Sequence, residues 1–186
     1  MSPSRKLGYG IGIFGPMLGW VAAMQYLMYF YTEVIGLDPT RAGLIFLIGM
    51  GWDALSDPLI GAVAERTRSR WGRYRPYLLF GAVPYGASVA LLFTPPDGSA
   101  AWLFAAALTT HLLFRTAYTV VYMPYTAMIA RMTSDYDSRT ALTAYKTFFV
   151  FGGNLAVSFG FYTLVLLLGE PAVGPVLMVL AVDLIV

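Results

Sequence analysis

The chain has 186 residues, of which 58% are apolar and 12% are charged. This charged fraction is about half that of an ordinary soluble domain, and with a mean hydropathy of +0.66 it excludes a water-soluble globule. The 12 Lys and Arg residues outnumber the 10 Asp and Glu residues only slightly, and a net charge of +2 does not indicate a nucleic-acid partner. Because there is no cysteine, disulfides, thiolate metal sites and thiol nucleophiles are also excluded.

Long apolar stretches predict membrane-spanning helices, each of which needs roughly 20 apolar residues. With short loops, a chain of this length holds about six of them. In chain order, the predicted spans lie near residues 8–32, 42–64, 76–94, 101–129, 142–168 and 172–186. The first span follows two basic residues but is too long for a cleavable signal peptide, so we expect it to be retained.

The basic residues between the predicted spans alternate from one loop to the next. The N-terminus and the second and fourth loops carry Arg5, Lys6, Arg66, Arg68, Arg70, Arg73, Arg75, Arg131 and Arg139, whereas the opposite loops carry only Arg41. Because Lys and Arg that flank membrane helices stay in the cytoplasm, both ends of a six-span chain are expected there. An anionic protein partner for these arginines is the alternative, but it does not predict the alternation.

The last predicted span is short. Residues 172–186 cover only about 22 Å at a helical rise of 1.5 Å per residue. The hydrocarbon core of a bilayer is roughly 30 Å thick. This favours a truncated or engineered fragment over a complete gene product, and a tilted or partly interfacial last helix is the alternative.

Charged side chains in the middle of a span are costly and usually functional. Asp53 and Asp57 are four residues apart on the second span, with Ser56 between them, so a helix places both carboxylates on one face. Their oxygens suit Na⁺ or a shared proton, which predicts a cation site with the two aspartates as metal ligands. The alternative is structural, with Asp57 capping a helix broken at Pro58 and Asp53 paired with an arginine.

The other intramembrane charges lie on later spans. Arg115, midway along the fourth span, is at a depth similar to that of Asp53, and we expect an ion pair between them. Either this pair only neutralises the two charges, or cation binding loosens Arg115 and links ion occupancy to helix movement. His111, one turn before Arg115, either relays protons and contacts the solute or simply packs between helices. The remaining intramembrane charges are Lys146 and Asp183.

Polar and aromatic side chains inside the spans suit a cavity for a hydroxylated solute. The expected substrate-binding residues are Trp20, Gln25, Tyr26, Tyr122, His111, Arg115 and Lys146, and the same set extends to Tyr29, Tyr118 and Asn154. The alternative is that the aromatics form interfacial belts and the carboxamides join helices. The sequence has no phosphate-binding loop, catalytic triad or zinc motif, so we expect no enzymatic activity and no cofactor apart from the coupling ion.

A long motif follows the predicted cation site. It reads Trp52-Asp53-Ala54-Leu55-Ser56-Asp57-Pro58-Leu59-Ile60-Gly61, and then Glu65-Arg66-Thr67-Arg68-Ser69-Arg70-Trp71-Gly72-Arg73-Tyr74-Arg75-Pro76. This closely resembles the signature of the glycoside-pentoside-hexuronide:cation symporters, the melibiose-permease-like branch of the major facilitator superfamily. Further matches are Lys6 to Gly10, Tyr26 to Thr32, Tyr118-Thr119, Met123-Pro124-Tyr125, Arg139 and Tyr145-Lys146. The resemblance covers nearly the whole chain but only the N-terminal half of such a transporter.

The resemblance implies a fold and a set of site residues. The fold is an all-α membrane protein with about six transmembrane helices in a 3+3 inverted repeat, one half of a major facilitator fold, over residues 1–186 with an apparently truncated last helix. The implied cation ligands are Asp53, Asp57 and Thr119, with Ser56 in place of a common asparagine. The arginine-rich loop resembles the cytoplasmic gate of the family, and the expected gating residues are Arg66, Arg70, Arg73, Arg75 and Arg139.

Three positions depart from the pattern of this family. The acidic residues that hold sugar hydroxyls in the melibiose-permease branch match Met17 and Tyr122 here, and neither accepts a hydrogen bond as a carboxylate does. That puts an α-galactoside in doubt, although Tyr122, Gln25 and Trp20 still suit another glycoside. Arg115 replaces a residue that is usually small or neutral, and we expect it to stand in for a positive charge of the other half.

These observations predict a Na⁺- or H⁺-coupled symporter for a sugar or glycoside in the inner (plasma) membrane. It is expected to work by alternating access, together with a second six-helix bundle that is either another copy or the missing C-terminal half. The expected partners are therefore a small solute, membrane lipid and that second bundle, with no nucleic acid. The alternative is a non-transporting membrane binding or assembly subunit, or an inactive fragment of a full-length transporter.

Overall fold

A computed structural model describes residues 2–168, and this part of the chain is helical, as predicted. The helices are α1 (Pro3–Ile11), α2 (Phe14–Tyr29), α3 (Pro39–Arg66), α4 (Arg75–Leu92), α5 (Ala100–Met132) and α6 (Tyr136–Leu168), and a π-helical turn, Phe30–Val34, follows α2. The predicted spans over residues 42–64, 76–94, 101–129 and 142–168 correspond to α3, α4, α5 and α6. The last predicted span, residues 172–186 with Asp183, lies outside the described residues.

The first predicted span is not one continuous helix, because it is broken at Gly12 and Ile13. Pro16 has no backbone N–H to donate to the Gly12 carbonyl, and its ring crowds that carbonyl, so the helix breaks four residues earlier. The Ile13 N–H donates instead to the Gly10 carbonyl at 3.3 Å, as in a 3₁₀ turn. The Pro16 carbonyl accepts a hydrogen bond from the Tyr85 hydroxyl at 2.7 Å.

Side-chain caps define the starts of α3 and α5. The Asp38 carboxylate accepts hydrogen bonds from the backbone N–H groups of Thr40 at 2.9 Å and Arg41 at 3.4 Å. The hydrogen bonds from Thr40 hold the pKa of Asp38 below its usual range. The Ser99 hydroxyl accepts from the backbone N–H of Trp102 at 3.4 Å and caps α5 in the same way.

Contacts between helices show the direction in which each one runs. Helices α3 and α5 are parallel, with the contact pairs Gly49 and His111, Asp53 and Arg115, and Asp57 and Thr119. Helices α1 and α2 run parallel to α6, with the pairs Gly10 and Phe149, Met17 and Gly153, and Gln25 and Ser158. They run antiparallel to α5, with the pairs Tyr9 and Tyr125, Trp20 and Tyr118, and Tyr31 and Ala107.

These directions bring most basic residues to one end of the bundle. The start of α1, the α3–α4 loop and the α5–α6 loop all lie there, so every Lys and Arg except Arg41, Arg115 and Lys146 does too. Asp135 lies at the same end. Hydrogen bonds from Ser138, together with the weaker influence of the Lys6 charge, hold its pKa below the usual range. The loops that the charge pattern predicts to lie on one side of the membrane therefore lie at one end of the bundle.

A reciprocal contact fastens α1 to α5. The rings of Tyr9 and Tyr125 are stacked with their centres 4.6 Å apart. The Tyr9 hydroxyl donates to the Tyr125 carbonyl at 3.3 Å, and the Tyr125 hydroxyl donates to the Tyr9 carbonyl. Both side chains are buried, so this tyrosine clasp satisfies its own polar groups inside the bundle.

Two described helical segments, Ser4–Val34 and Pro39–Arg66, are long and apolar enough to cross a membrane, judged by length and composition. Helix α5 is longer and carries His111 and Arg115 near its middle. In the apolar window of Pro39–Arg66 only 17% of the residues are buried, against 61% in that of Ser4–Val34, so α3 presents most of its apolar surface outward. The six spans and the inverted repeat remain predictions.

Helix α2 packs closely against α4 at Gly19. A Cβ atom there would lie 2.4 Å from the Tyr85 hydroxyl oxygen and 2.8 Å from Cγ2 of Val89. Both neighbours are fully buried, and the Tyr85 hydroxyl is held by its hydrogen bond to Pro16, so neither side chain can move aside. The helices approach one another because this position lacks a side chain.

We predict that Gly19→Ala lowers the free energy of unfolding by about 1–3 kcal/mol, because the added methyl group overpacks a filled interface. The measurement is thermal unfolding of the full chain in detergent. The matched control is Gly43→Ala on the exposed face of α3, where no atom lies within 4 Å of the new Cβ. Equal melting temperatures for the two variants would contradict the packing described here.

Candidate cation and solute site

A cavity of about 490 Å³ opens between α2, α3, α5 and α6. The predicted site residues that line it are Trp20, Gln25, Asp53, Asp57, Thr119 and Tyr122. Met17, Tyr118 and Asn154 line it as well. The cavity therefore has acidic groups on the α3 wall and neutral polar and aromatic groups on the others.

The α3 and α5 walls bring several oxygen atoms together. The Thr119 hydroxyl donates to Oδ1 of Asp57 at 2.8 Å. In addition, Oδ1 of Asp53 and the hydroxyl oxygen of Ser56 are buried and have no hydrogen-bond partner. An unsatisfied buried polar atom costs about 1–3 kcal/mol, so these oxygens fit a ligand that satisfies them. Carboxylate and hydroxyl oxygens are the donors that a hard cation prefers.

The donor set also limits the kind of ion. Among residues 2–168, no group of three or more His, Cys, Asp or Glu side chains could hold a metal ion. Asp53 and Asp57 thus supply two carboxylates, supplemented by the neutral oxygens of Ser56 and Thr119. Such a set fits a hard monovalent cation better than a tightly held transition metal, which favours nitrogen and sulfur ligands.

The ion pair expected between Asp53 and Arg115 is present. The terminal nitrogen NH1 of Arg115 donates to Oδ2 of Asp53, and the arginine side chain is only 5% exposed. Its Nε donates to Nε2 of His111 at 2.9 Å, so that nitrogen acts as the acceptor and the ring proton lies on Nδ1. Nδ1 of His111 lies 3.5 Å from the Tyr31 hydroxyl, which donates to the Ala107 carbonyl at 3.3 Å.

Two residues beside this ion pair are not among the site residues predicted from the sequence. A Cβ atom at Gly49 would lie 2.7 Å from both Nε of Arg115 and Nε2 of His111, so the arginine fits only against a glycine. The indole nitrogen of Trp52 donates to the Thr116 hydroxyl at 2.9 Å, which joins α3 to α5 beside the pair. Gly49 lies one turn before Asp53, and that spacing is the signal that identifies it as a neighbour.

Three aromatic rings form a stack along the cavity. Trp20 and Tyr118 are stacked with centres 4.3 Å apart, and Tyr118 and Tyr122 with centres 4.9 Å apart. A cation lies over each outer ring: the guanidinium of Arg115 is 5.4 Å from the centre of Trp20, and the ammonium of Lys146 is 5.1 Å from that of Tyr122. Cation–π attraction therefore joins the buried ion pair to the cavity wall.

The other predicted substrate-binding residues lie behind the cavity wall. Lys146 donates to the Tyr122 hydroxyl at 3.4 Å, and His111 is fully buried. The Tyr26 hydroxyl donates to the Ser158 carbonyl at 3.3 Å, next to the hydrogen bond from the Ser158 hydroxyl to Gln25. Thus Tyr26, His111, Arg115, Lys146 and the exposed Tyr29 do not line the cavity.

The predicted gating residues lie together at the basic end of the bundle. Arg73 donates from NH1 to the Glu65 carbonyl at 3.1 Å, and Arg139 donates from Nε to the Thr133 carbonyl at 2.9 Å. Both arginines therefore hold backbone at the ends of long helices. The remaining residues of the set are Arg66 in the last turn of α3, Arg75 at the start of α4, and Arg70, whose guanidinium lies 4.5 Å from the ring centre of Trp71.

A bundle of long apolar helices around a polar cavity with charged groups in its interior is the architecture of a membrane transporter. Residues 8–186 match the family model described as MFS/sugar transport protein, and the chain belongs to this family. It is thus a multi-pass membrane protein of a transporter family rather than of an enzyme family, as the sequence predicts.

Several relatives cover most of the chain. YagG of Escherichia coli (strain K12), which carries the name of a glycoside/cation symporter, is 42% identical over 82% of this chain and 33% of its own length. The inner membrane symporter YicJ of the same organism is 36% identical over 91% of this chain and 37% of its own length. The isoprimeverose transporter of Lactiplantibacillus pentosus is 31% identical over 78% of this chain and 30% of its own length. The chain spans about a third of the length of these curated relatives.

We predict that Gly49→Ala displaces the side chains of Arg115 and His111 and weakens the ion pair between Arg115 and Asp53. The expected loss in the free energy of unfolding is about 1–3 kcal/mol, because the methyl group enters a site that is already filled. Thermal unfolding in detergent measures it. Gly51→Ala on the same helix is the matched control, since no atom lies within 4 Å of its Cβ. A control that loses as much stability as Gly49→Ala would show that the effect does not come from the ion pair.

Proposed function

We propose that this chain forms half of a cation-coupled symporter that carries a sugar or glycoside across the inner (plasma) membrane, with Na⁺ or H⁺ as the coupling ion. The observation that carries the proposal is the position of Asp53, Asp57 and Thr119, which line the same cavity as the neutral polar groups. An ion and a solute bound there would be close enough to influence one another. The names of YagG and of the isoprimeverose transporter support the glycoside and the cation.

In this proposal the coupling ion binds between α3 and α5. Asp57 and Thr119 are already joined by a hydrogen bond, and an ion would replace the hydroxyl proton as the partner of the carboxylate. The unpartnered oxygens of Asp53 and Ser56 complete its coordination from the α3 side. Because the ligands come from two helices, ion binding pulls α3 and α5 together.

The solute binds across the cavity from the aspartates. Gln25 on α2, Tyr122 on α5 and Asn154 on α6 offer donors and acceptors for hydroxyl groups, and Trp20 offers an apolar surface. Lys146 holds the Tyr122 hydroxyl in place from behind. Neither Met17 nor Tyr122 accepts a hydrogen bond as a carboxylate does, so the preferred solute is a glycoside other than an α-galactoside.

A second bundle closes the cavity. Helices α3 and α6 both line it, and each presents apolar side chains that are more than 60% exposed: Leu47, Met50, Leu55 and Leu59 on α3, and Phe148, Phe151, Leu155 and Phe159 on α6. A second six-helix unit, either another copy or a C-terminal half, covers these faces. Alternating access then follows from rocking of the two bundles about the shared cavity, within a fold built from 3+3 inverted repeats.

The basic end of the bundle faces the cytoplasm in this proposal, and so do both termini of the six-span chain. Membrane proteins retain clusters of Lys and Arg on that side. The arginines of the α3–α4 and α5–α6 loops lie at this end with their helix-end contacts to Glu65 and Thr133, where they act as a gate. Contacts between these arginines and the second bundle hold the cytoplasmic side closed, and breaking them permits rocking.

We predict that Na⁺ stabilises the full chain in detergent at constant ionic strength, with choline as the replacement cation, because an ion that binds only the folded state raises the melting temperature. Asp57→Asn should remove this stabilisation. Thr119→Val should weaken Na⁺ binding about tenfold, since it removes a hydroxyl that contacts a charged group. Thr126→Val is the control, because the Thr126 hydroxyl donates to the Met123 carbonyl of its own helix. Equal loss in both threonine variants would contradict the assigned ligand.

We also predict gradient-driven uptake of a glycoside by proteoliposomes of the full chain. An inward Na⁺ or H⁺ gradient should raise the uptake, and Asp57→Asn should reduce it to the level of empty vesicles. Radiolabelled sugars provide the measurement, and dissipation of the gradient by an ionophore provides the control. Sugar binding that is unaffected by either cation and produces no uptake would instead support a non-transporting binding subunit.

A further inference from the structure

The side chain of Arg115 lies where three helices meet. It contacts the Asp53 carboxylate of α3, the His111 ring one turn earlier on α5, and the Trp20 ring of α2. Its position is almost completely buried. A guanidinium is always charged, so a permanent positive charge lies inside the bundle next to the oxygens that the proposed coupling ion uses.

The charges of this cluster do not balance. Asp53 and Asp57 contribute two negative charges when ionised, and Arg115 contributes one positive charge, so the cluster as described is one positive charge short of neutral. One monovalent cation therefore suffices to neutralise it, whereas two carboxylates without the arginine would require two.

We infer that Arg115 is a built-in cation that occupies one of the two acidic positions of the ion site and competes with the coupling ion for Asp53. This inference rests on the proposed function. Arg115 thereby sets both the number and the affinity of coupling ions: one monovalent ion binds between Asp57, Thr119, Ser56 and the free Oδ1 of Asp53, and it binds more weakly than it would to two free carboxylates.

The surroundings of Arg115 hold it on Asp53. The Tyr31 hydroxyl donates its proton to the Ala107 carbonyl, so its oxygen is left as an acceptor for Nδ1 of His111. This favours the histidine tautomer that carries its proton on Nδ1. Nε2 of His111 is then left as the acceptor for Nε of Arg115. Gly49 leaves the space that this arrangement needs. The guanidinium is therefore positioned by groups that lie outside the cavity lining.

The two oxygens of Asp53 have different surroundings. Oδ2 accepts from Arg115, whereas Oδ1 is buried without a partner. An ion that approaches Oδ1 draws charge density away from the arginine and weakens the ion pair. The guanidinium already lies over the face of Trp20, whose ring lines the cavity. A change at the ion site thus reaches the solute cavity through a single side chain.

The test compares Na⁺ and Li⁺ titrations of thermal unfolding for the full chain and three variants, at constant ionic strength in detergent. Arg115→Met removes the competing charge, and apparent Na⁺ affinity should rise about tenfold or more. Arg115→Lys keeps the charge and should stay within about threefold of the unaltered chain. The double variant Arg115→Met with Asp53→Asn also removes the carboxylate that Arg115 leaves free, so its Na⁺ affinity should fall below that of Arg115→Met.

The outcomes separate this inference from the proposed function. An unchanged Na⁺ affinity in Arg115→Met overturns the competition and leaves the ion site standing. The absence of any Na⁺ or Li⁺ response in all four proteins overturns the ion site and the inference together. If Arg115→Met does not fold, Arg115→Gln, which keeps a neutral hydrogen-bond donor for Asp53, takes its place: a rise in Na⁺ affinity of about tenfold or more supports competition, and an unchanged affinity overturns it.

Discussion

A carboxylate and a guanidinium buried between two apolar helices set the conditions for the rest of the structure. Removing two charges from water costs several kcal/mol each, and only close geometry with further hydrogen bonds offsets it. That geometry requires α3 and α5 to lie in a parallel register that brings Asp53 to Arg115, a glycine at position 49, and an imidazole that accepts a hydrogen bond. The same register brings Asp57 to Thr119, so the ion pair and the proposed ion site have one structural origin.

Helix α5 contributes residues both to the proposed ion site and to the aromatic stack of the cavity. Arg115, Tyr118, Thr119 and Tyr122 recur at spacings of three and four residues, so they lie on one face of the helix. The first of them holds Asp53, the third holds Asp57, and the second and fourth form the aromatic stack beside the cavity. A small rotation of this one helix would change the proposed ion ligands and the proposed solute surface together, which is the coupling that the proposed symport requires.

The sequence predicts much of the arrangement of charged residues between α3 and α5. The spacing of Asp53 and Asp57 places them on one face, and the matched depth of Arg115 predicts the ion pair. The sequence cannot show which side of a helix faces the cavity when the helix is apolar on every side, because no polar stripe marks the outer surface. For that reason the predicted cavity residues include Tyr26, His111, Arg115 and Lys146, although these four do not line the cavity. The break at Gly12 is a consequence of Pro16 that apolar periodicity does not reveal.

That break also divides one membrane segment between two neighbours. Below it, α1 is fastened to α5 by the tyrosine clasp of Tyr9 and Tyr125; above it, α2 packs through Gly19 onto α4 and through Trp20 onto the aromatic stack. The two pieces meet at the 3₁₀ turn of Ile13, and each makes its own contacts with the rest of the bundle. The proline therefore separates two attachments: the piece at the basic end is held by α5, and the piece beside the cavity is held by α4 and the aromatic stack.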